Sequence, residues 1–457
     1  MSRTYQGPVG PYRGSHKIDS TDGRLYLMNI SRKKLLILAS KLGYQTRGFA
    51  DAAEALGVEV HFATDRCHKL DDPWSDGAVP LRFETPQEAA KEIIQRFASD
   101  PPDAILALGD RPTPTAAYAA RALGLAGNAP EAVERCRSKL AQRETLRATS
   151  LPVPGFLSFL LNERIENIVA QVKFPCVVKP LSLAASQGVI RADNKGQFRA
   201  AVLRIRSLLE SPEIQVTREP GLDRLLIEEY IPGREVAIEG LLDRGSLKIL
   251  AIFDKPDPLE GPYFEETIYV TPSRLPGEQQ SALRDCAARA VHALGLTHGP
   301  VHVECRINER GPWILEIAPR PIGGLCSRAL RFGPQRISLG ELLLRHALGL
   351  GGTNVVREPD ASGVMMIPVP RSGIFERVEG LEEAERVPSV TEIRITARVK
   401  DYVAAWPEGS SYLGFIFARA EKPDEVEAAL RAAHAELLFE FSPRLPVEHP
   451  ITGRISA

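Results

Sequence analysis

The stretch VHVECRINERGPWILEIAPR, residues 301–320, decides how this chain is read. Two runs of alternating apolar and polar residues flank a short polar break at 308–311, made of turn formers. The pattern predicts a β-hairpin with a three-residue loop. On its first strand His302, Glu304 and Arg306 share one face, with Val301, Val303, Cys305 and Ile307 on the other. On its second, Ile314, Glu316, Ala318 and Arg320 share a face. Such a loop sets Glu304 opposite Glu316. Like charges directly opposed destabilise a sheet, and a cation between them removes the repulsion. Mg²⁺, with Mn²⁺ as a substitute, suits one or two carboxylates plus phosphate oxygens. Two solvated glutamates on an exposed face satisfy the same spacing.

Upstream, IEEYIPGREVAIEG (227–240) reads as strand, Pro-Gly turn, strand. Glu228, Tyr230 and Pro232 fall on one side by alternation, and Ile231 closes the strand just before the turn. Backbone groups freed there can read an adenine edge, and Glu235 beyond the turn can accept from ribose hydroxyls. Surface acids around an ordinary turn fit equally. Lys179 ends an apolar strand, where an unpaired charge is costly. Lys139 lies in an Arg-rich helix and Lys255 ends LKILAIFDK. Three lysines at element ends can converge on a triphosphate. The small polar loop LSLAASQGV (181–189), with Ser186, Gln187 and Gly188, offers amides that cover phosphates as a nest. Past the hairpin, Arg320 can clamp a carboxylate or a transferring phosphoryl group, with Gly323 and Gly324 opening a short helix.

With 457 residues, two to four domains are expected. A hydrophobic share of 44% and charged share of 25% are those of a folded protein. The formal net charge of −1 gives no electrostatic case for nucleic acid or membrane partners. Six scattered cysteines form no C-x-x-C pair, which argues against a zinc ribbon and for reduced thiols in the cytoplasm. No apolar run reaches a membrane-spanning length.

The expected class is α/β. Residues 1–30 read as a disordered extension. Residues 31–130 read as a parallel βαβ domain, with strands in KKLLILAS, VEVHFAT, VPLRF (79–83) and DAILALGD and helices at 45–56 and 86–99. No G-x-G-x-x-G follows its first strand, so a dinucleotide fingerprint is absent. Residues 131–149 read as one helix and 276–294 as another. A last α+β domain spans 352–457, with strands in MMIPVP and TEIRITARV and an amphipathic helix over 422–439.

In order, Lys139, Lys179, the small loop, Glu-Glu-Tyr-Ile, Glu235, Glu304 and Glu316-x-x-x-Arg320 resemble the ATP-grasp superfamily. VHVECRINERGPWILEIAPRPIGG, FDKPDPLEGPYFEETIYVTPS and the C-terminal YLGFIFARAEKPDEVEAALRAAHAELLFEF look most like bacterial L-amino acid ligases, the dipeptide-forming carboxylate–amine ligases. The resemblance implies an ATP-grasp fold with an N-terminal domain, a lid (about 150–232) and core within 131–351, and a C-terminal α+β domain. It implies ATP and Mg²⁺ as cofactors and small carboxylate and amine substrates, with a homodimer usual. It assigns Lys139 and Lys179 to ATP phosphates, and Glu228, Glu229, Tyr230 and Ile231 to an adenine hinge. Glu235 falls to the ribose, Glu304 and Glu316 to metal, and Arg320 to an acyl phosphate. Lys255 is expected to act in the phosphoryl transfer. One departure stands out: Ala318 occupies a place where the family pattern carries Asn, which removes one side-chain metal ligand. Purine-pathway or biotin-carboxylase chemistry on the same fold, and a weakly catalytic nucleotide-binding module, remain the alternatives.

Overall fold

A computed structural model describes residues 33–40, 44–65, 78–351, 354–444, 447–448 and 455–456. The expected N-terminal extension and Cys67 lie outside them. Apolar runs without alternation give strands buried on both faces. Leu35 to Leu38 are wholly buried in β1 (Lys34–Ala39). With β2 (Glu59–Thr64), β3 (Ala78–Pro80) and β4 (Ala104–Leu108) it forms a parallel sheet ordered β3-β2-β1-β4. β3 stops short of the expected 79–83: its partner β2 ends at Thr64, whose carbonyl accepts the Leu81 N–H at 2.8 Å just past the last pair.

The stretch 131–149 is two helices, Pro130–Arg137 and Lys139–Ala148, rather than one. Ser138 between them is extended, and its hydroxyl accepts the Ala141 N–H at 3.2 Å. This N-cap starts a fresh helix and places Lys139 in its first turn.

The lid is an antiparallel sheet of β5 (Phe156–Leu160), β6 (Cys176–Pro180), β7 (Ile190–Ala192) and β8 (Arg224–Glu229), ordered β5-β8-β6-β7. The helix Lys195–Leu209 covers it through Phe198, Ala201, Val202 and Ile205. The core follows with β9 (Arg234–Asp243), β10 (Ser246–Asp254), β11 (Ile268–Thr271), β12 (Gly299–Asn308) and β13 (Gly311–Ala318). The helix Gly277–Leu294 buries Leu283, Ala287, Ala290 and Leu294 against the apolar face of β9, β12 and β13.

After a two-residue ribbon, β14 (Arg331–Phe332) with β15 (Ile337–Ser338), come β16 (Ala361–Ile367), β17 (Gly373–Glu379), β18 (Val390–Ile395), β19 (Tyr402–Val403), β20 (Gly414–Ala420) and β21 (Leu438–Ser442). The C-terminal region keeps a small sheet of its own, β19-β17-β21, and gives three further strands to the core. β16, β20 and β18 extend the core into one eight-stranded sheet, β13-β12-β9-β10-β11-β16-β20-β18. The last helix ends at Ala435 rather than 439, and the following aromatic residues become β21 beside β17. Among the described residues no helix is long and apolar enough to cross a membrane.

Candidate active site

The hairpin β12–β13 turns at Glu309 and Arg310, with Asn308 paired to Gly311. Its loop is therefore two residues long, not three. Continued without a break, that register would set Glu304 opposite Leu315. A bulge between Glu304 and Cys305 shifts the pairing by one, so that Glu304 stands opposite Glu316. The same bulge turns Ile314 into the core with Ile317, off the face it was expected to share with Glu316.

Between this face and the lid lies a cleft of about 880 Å³. Lys139, Lys179, Ser186, Glu228, Glu229, Tyr230, Ile231, Glu235, Glu304, Glu316 and Arg320 all line it. Gln187, Gly188 and Lys255 do not. Lys139 Nζ donates to the Leu183 carbonyl at 2.7 Å and sits 3.8 Å from Glu316 Oε2. Lys255 Nζ is 3.8 Å from Glu304 Oε2, and His302 Nε2 is 3.6 Å from Glu304 Oε1. These cations lie beyond direct hydrogen-bond length, so both carboxylates keep oxygens for a further partner. Burial works against ionisation of Glu304, but Lys255 and His302 outweigh it and hold the carboxyl well below its usual range. Two opposed carboxylates with hard oxygens, in a cleft that also holds Lys139 and Lys179, fit a divalent cation.

Lys255 is buried among Glu235 at 2.8 Å, Glu266 and Glu304. One oxygen of each of these carboxylates lies within 4.8 Å of the others, a spacing that could itself hold a metal. The ammonium already supplies the positive charge there, which leaves the opposed Glu304 and Glu316 as the pair that could hold a cation. Burial lowers the Lys255 pKa, but the three carboxylates raise it well above the usual lysine value. Lys255 thus stands behind the cleft wall as a fixed counter-charge.

Glu228 is 4% exposed and accepts from Lys179 at 2.6 Å and Arg143 at 2.7 Å. Its side chain is committed to these cations, which hold its carboxyl ionised against burial. The Glu229 and Tyr230 amides donate to Gly155 and Pro175 carbonyls at 2.8 and 3.2 Å. Ile231 offers its N–H, which has no acceptor among the described residues, while its carbonyl accepts from Arg306 Nη1 at 2.8 Å. Arg306 also donates to Glu235 Oε2 at 2.9 Å, so the hinge and the acid beyond it share one guanidinium. Gly233 is required in the turn. Its φ is +125°, and a Cβ would meet the Ile307 carbonyl at 2.3 Å.

Arg320 donates through Nε to Asp110 Oδ1 at 2.9 Å. Burial depresses the guanidinium pKa, but Asp110 more than restores it. Asp110 follows β4 of the N-terminal sheet, at the carboxyl end of a parallel strand, where α/β sheets place ligand-facing residues. That position was a usable signal for it. Arg306 was visible on the Glu304 face by alternation, without a role. Arg143 and Glu266 carried no periodic signal: one looked like a solvated helix residue, the other lies in the irregular link between β10 and β11.

Residues 172–329 match the ATP-grasp domain family, residues 50–127 the ATP-grasp N-terminal domain, and residues 365–442 the L-amino acid ligase C-terminal domain 2. The chain belongs to the ATP-grasp superfamily. The crystal structure of an L-amino acid ligase from Bacillus licheniformis superposes with a TM-score of 0.75 at 29% identity, covering 90% of this chain and 99% of that one. Carnosine synthase 1 of Gallus gallus is 29% identical over 381 residues, 77% of this chain and 40% of its own length. Alanine–anticapsin ligase of Bacillus subtilis (strain 168) is 25% identical over 251 residues, 52% of each. The chain spans about half the length of the curated relatives it matches. The ATP-grasp lid and core are the two walls of the cleft described above.

Proposed function

We propose that this ATP-grasp protein is a carboxylate–amine ligase that forms an amide between small substrates, amino acids on both sides, at the expense of ATP. The observation that carries the reading is the bulged hairpin. It opposes Glu304 and Glu316 in a cleft that also holds Lys139, Lys179 and Arg320. The similarity of residues 365–442 to L-amino acid ligases favours amino-acid substrates over purine-pathway or bicarbonate chemistry.

A substrate carboxylate oxygen attacks the γ-phosphorus, the bond to the β-phosphate oxygen breaks, and ADP leaves. The amine nitrogen then attacks the carbonyl carbon of the acyl phosphate, the C–O bond to phosphate breaks, and the amine loses a proton. A Mg²⁺ ion held by Glu304 and Glu316 would neutralise charge on the phosphate oxygens. The chain's own residues position and stabilise. Lys139 and Lys179 approach the phosphates, Arg320 offers its guanidinium to the transferred group, and the Ile231 amide takes an adenine edge. The loop 181–189 excludes water, which would otherwise hydrolyse the acyl phosphate. We place the enzyme in the cytoplasm, in keeping with five described cysteines that are all free and buried, and we expect a homodimer.

Purified chain with Mg·ATP and pairs of amino acids is expected to release ADP and phosphate, with a dipeptide-like product seen by mass spectrometry. Glu304→Gln and Glu316→Gln each lower ADP release by about a hundredfold or more while the fold, read by circular dichroism, is kept. Turnover near the wild-type rate in both variants overturns the assignment. ATP binding without ADP release across a broad amino-acid panel would instead favour a regulatory nucleotide-binding module, the reading that Ala318 invites.

A further inference from the structure

The loop 182–189 covers the cleft from the lid side, yet its contacts lead to the far end of the sequence. The Gly188 N–H donates to the Pro407 carbonyl at 2.8 Å. Gln187 Nε2 donates to the Glu408 carbonyl at 2.7 Å. Trp406 Nε1 donates back to the Ala185 carbonyl at 3.1 Å. The Trp406 ring is 7% exposed and rests against Tyr412, ring centres 5.0 Å apart, so its N–H is held in place. On the lid helix, Arg204 grips the Glu408 carboxylate through both Nε and Nη2, the latter at 2.8 Å, and also reaches the Tyr263 hydroxyl. A bidentate pair fixes orientation as well as distance.

A second observation points the same way. Ala185 and Ser186 have φ of 55° and 54°, left-handed backbone that side chains other than glycine adopt at a cost. Two such residues in succession persist where surrounding contacts over-determine them. Those contacts are the ones to residues 406–408.

We propose that the turn 406–409 of the C-terminal domain is the seat of the phosphate-covering loop, with Trp406 and Glu408 as positioning residues for the ligation. This rests on the carboxylate–amine ligase reading. The C-terminal domain then takes part in sealing the acyl phosphate from water, although it contributes no residue to the cleft lining. It also explains why Gln187 and Gly188, expected at the phosphates, point their hydrogen bonds away: they anchor the loop whose other residues face the cleft.

The test uses the full chain and two variants outside the binding residues. Trp406→Phe keeps an aromatic ring, though a smaller one, and removes the donor; Glu408→Gln weakens the clamp. In the ligand-free protein, hydrogen exchange over 182–189, and at the Gly188 amide above all, is expected to quicken by roughly fivefold to tenfold. During turnover, the ratio of ADP released to amide formed is expected to rise at least about twofold over wild type, with KM for ATP little changed. Exchanging the partners, Arg204→Glu with Glu408→Arg, is expected to restore both. Exchange over 182–189 unchanged in both variants overturns the seat, whatever happens to thermal stability. Faster exchange with an unchanged ADP-to-amide ratio overturns its part in sealing. A wild-type chain that releases no ADP sinks the ligase reading, while the exchange result still decides whether the seat holds the loop.

Discussion

Arg320 takes its direction from Asp110, a residue of a different domain, and this makes Asp110 a positioning residue. Asp110→Asn keeps the size and removes the charge. It is expected to lower kcat by roughly tenfold to a hundredfold, because small misplacements of a clamping group are costly, while ATP affinity stays near wild type. Steady-state kinetics beside isothermal titration with a non-hydrolysable ATP analogue separates the two. A second residue-scale expectation concerns acid. Burial, and the stacked ring of His346 4.5 Å away, press the His298 pKa down to about 4 from 6.5. The unfolded chain takes up this proton from about pH 6.5 downward and the folded chain only near 4. The contribution is therefore fully present above pH 6.5 and lost as pH falls toward 4. Going from pH 7.5 to 5 should lower the unfolding midpoint by about 2–4 °C more in wild type than in His298→Phe. At this scale the sequence was most informative where residues sit on regular strands. Alternation picks out Glu304, and its place after two lysines and a hinge gives it meaning. Arg143 acts through contacts over long sequence separation and Glu266 from an irregular link between strands, and no local period reports either.

Elements tell a mixed story. The lid core is tied to the body by Arg143, which is 1% exposed and bonded to Glu228 and to the Leu315 carbonyl. Arg143→Met leaves Glu228 buried with one cation fewer and is expected to cost about 3–5 kcal/mol in urea unfolding. Glu228→Gln in the same background should cost much less than it does alone, since the uncompensated carboxylate is then gone. The Pro-Gly turn is equally specific. Gly233→Ala is expected to destabilise by roughly 1–3 kcal/mol and to weaken ATP binding, because the hinge must shift away from the Ile307 carbonyl. The hairpin was legible as a hairpin, with the right glutamates opposed, but by the wrong route. A loop length can be counted from turn formers, whereas a bulge leaves no composition mark, and here the two errors cancel at Glu304 and do not at Ile314. Likewise Ser138 is a strong N-cap inside a run of good helix formers, and propensity alone read through it.

For the whole molecule, the eight-stranded sheet matters most. Strand alternation says which face is buried, not which strand is the neighbour, so the C-terminal domain looked separable. It is not: β16 pairs along the whole of β11. Ending the chain at residue 351 would expose β11 as an apolar edge, with Ile268, Tyr269 and Val270 all buried in the intact protein. Such a truncation is expected to aggregate rather than to yield a soluble ATP-binding core, and sedimentation of the shortened chain checks this. Domain order and class, by contrast, were readable, because parallel βαβ patterning and buried apolar runs are local properties.

The bulge in the hairpin has a further consequence. It splits β12–β13 into an outer half and an inner half whose registers differ by one residue. The turn at Glu309 and Arg310 thus belongs to the outer half, like the free end of a vernier scale. A peptide tag inserted between these two residues would lengthen the tip and leave Glu304 and Glu316 face to face. The tip is the place to attach a label or a tether to this protein without disturbing the carboxylate pair.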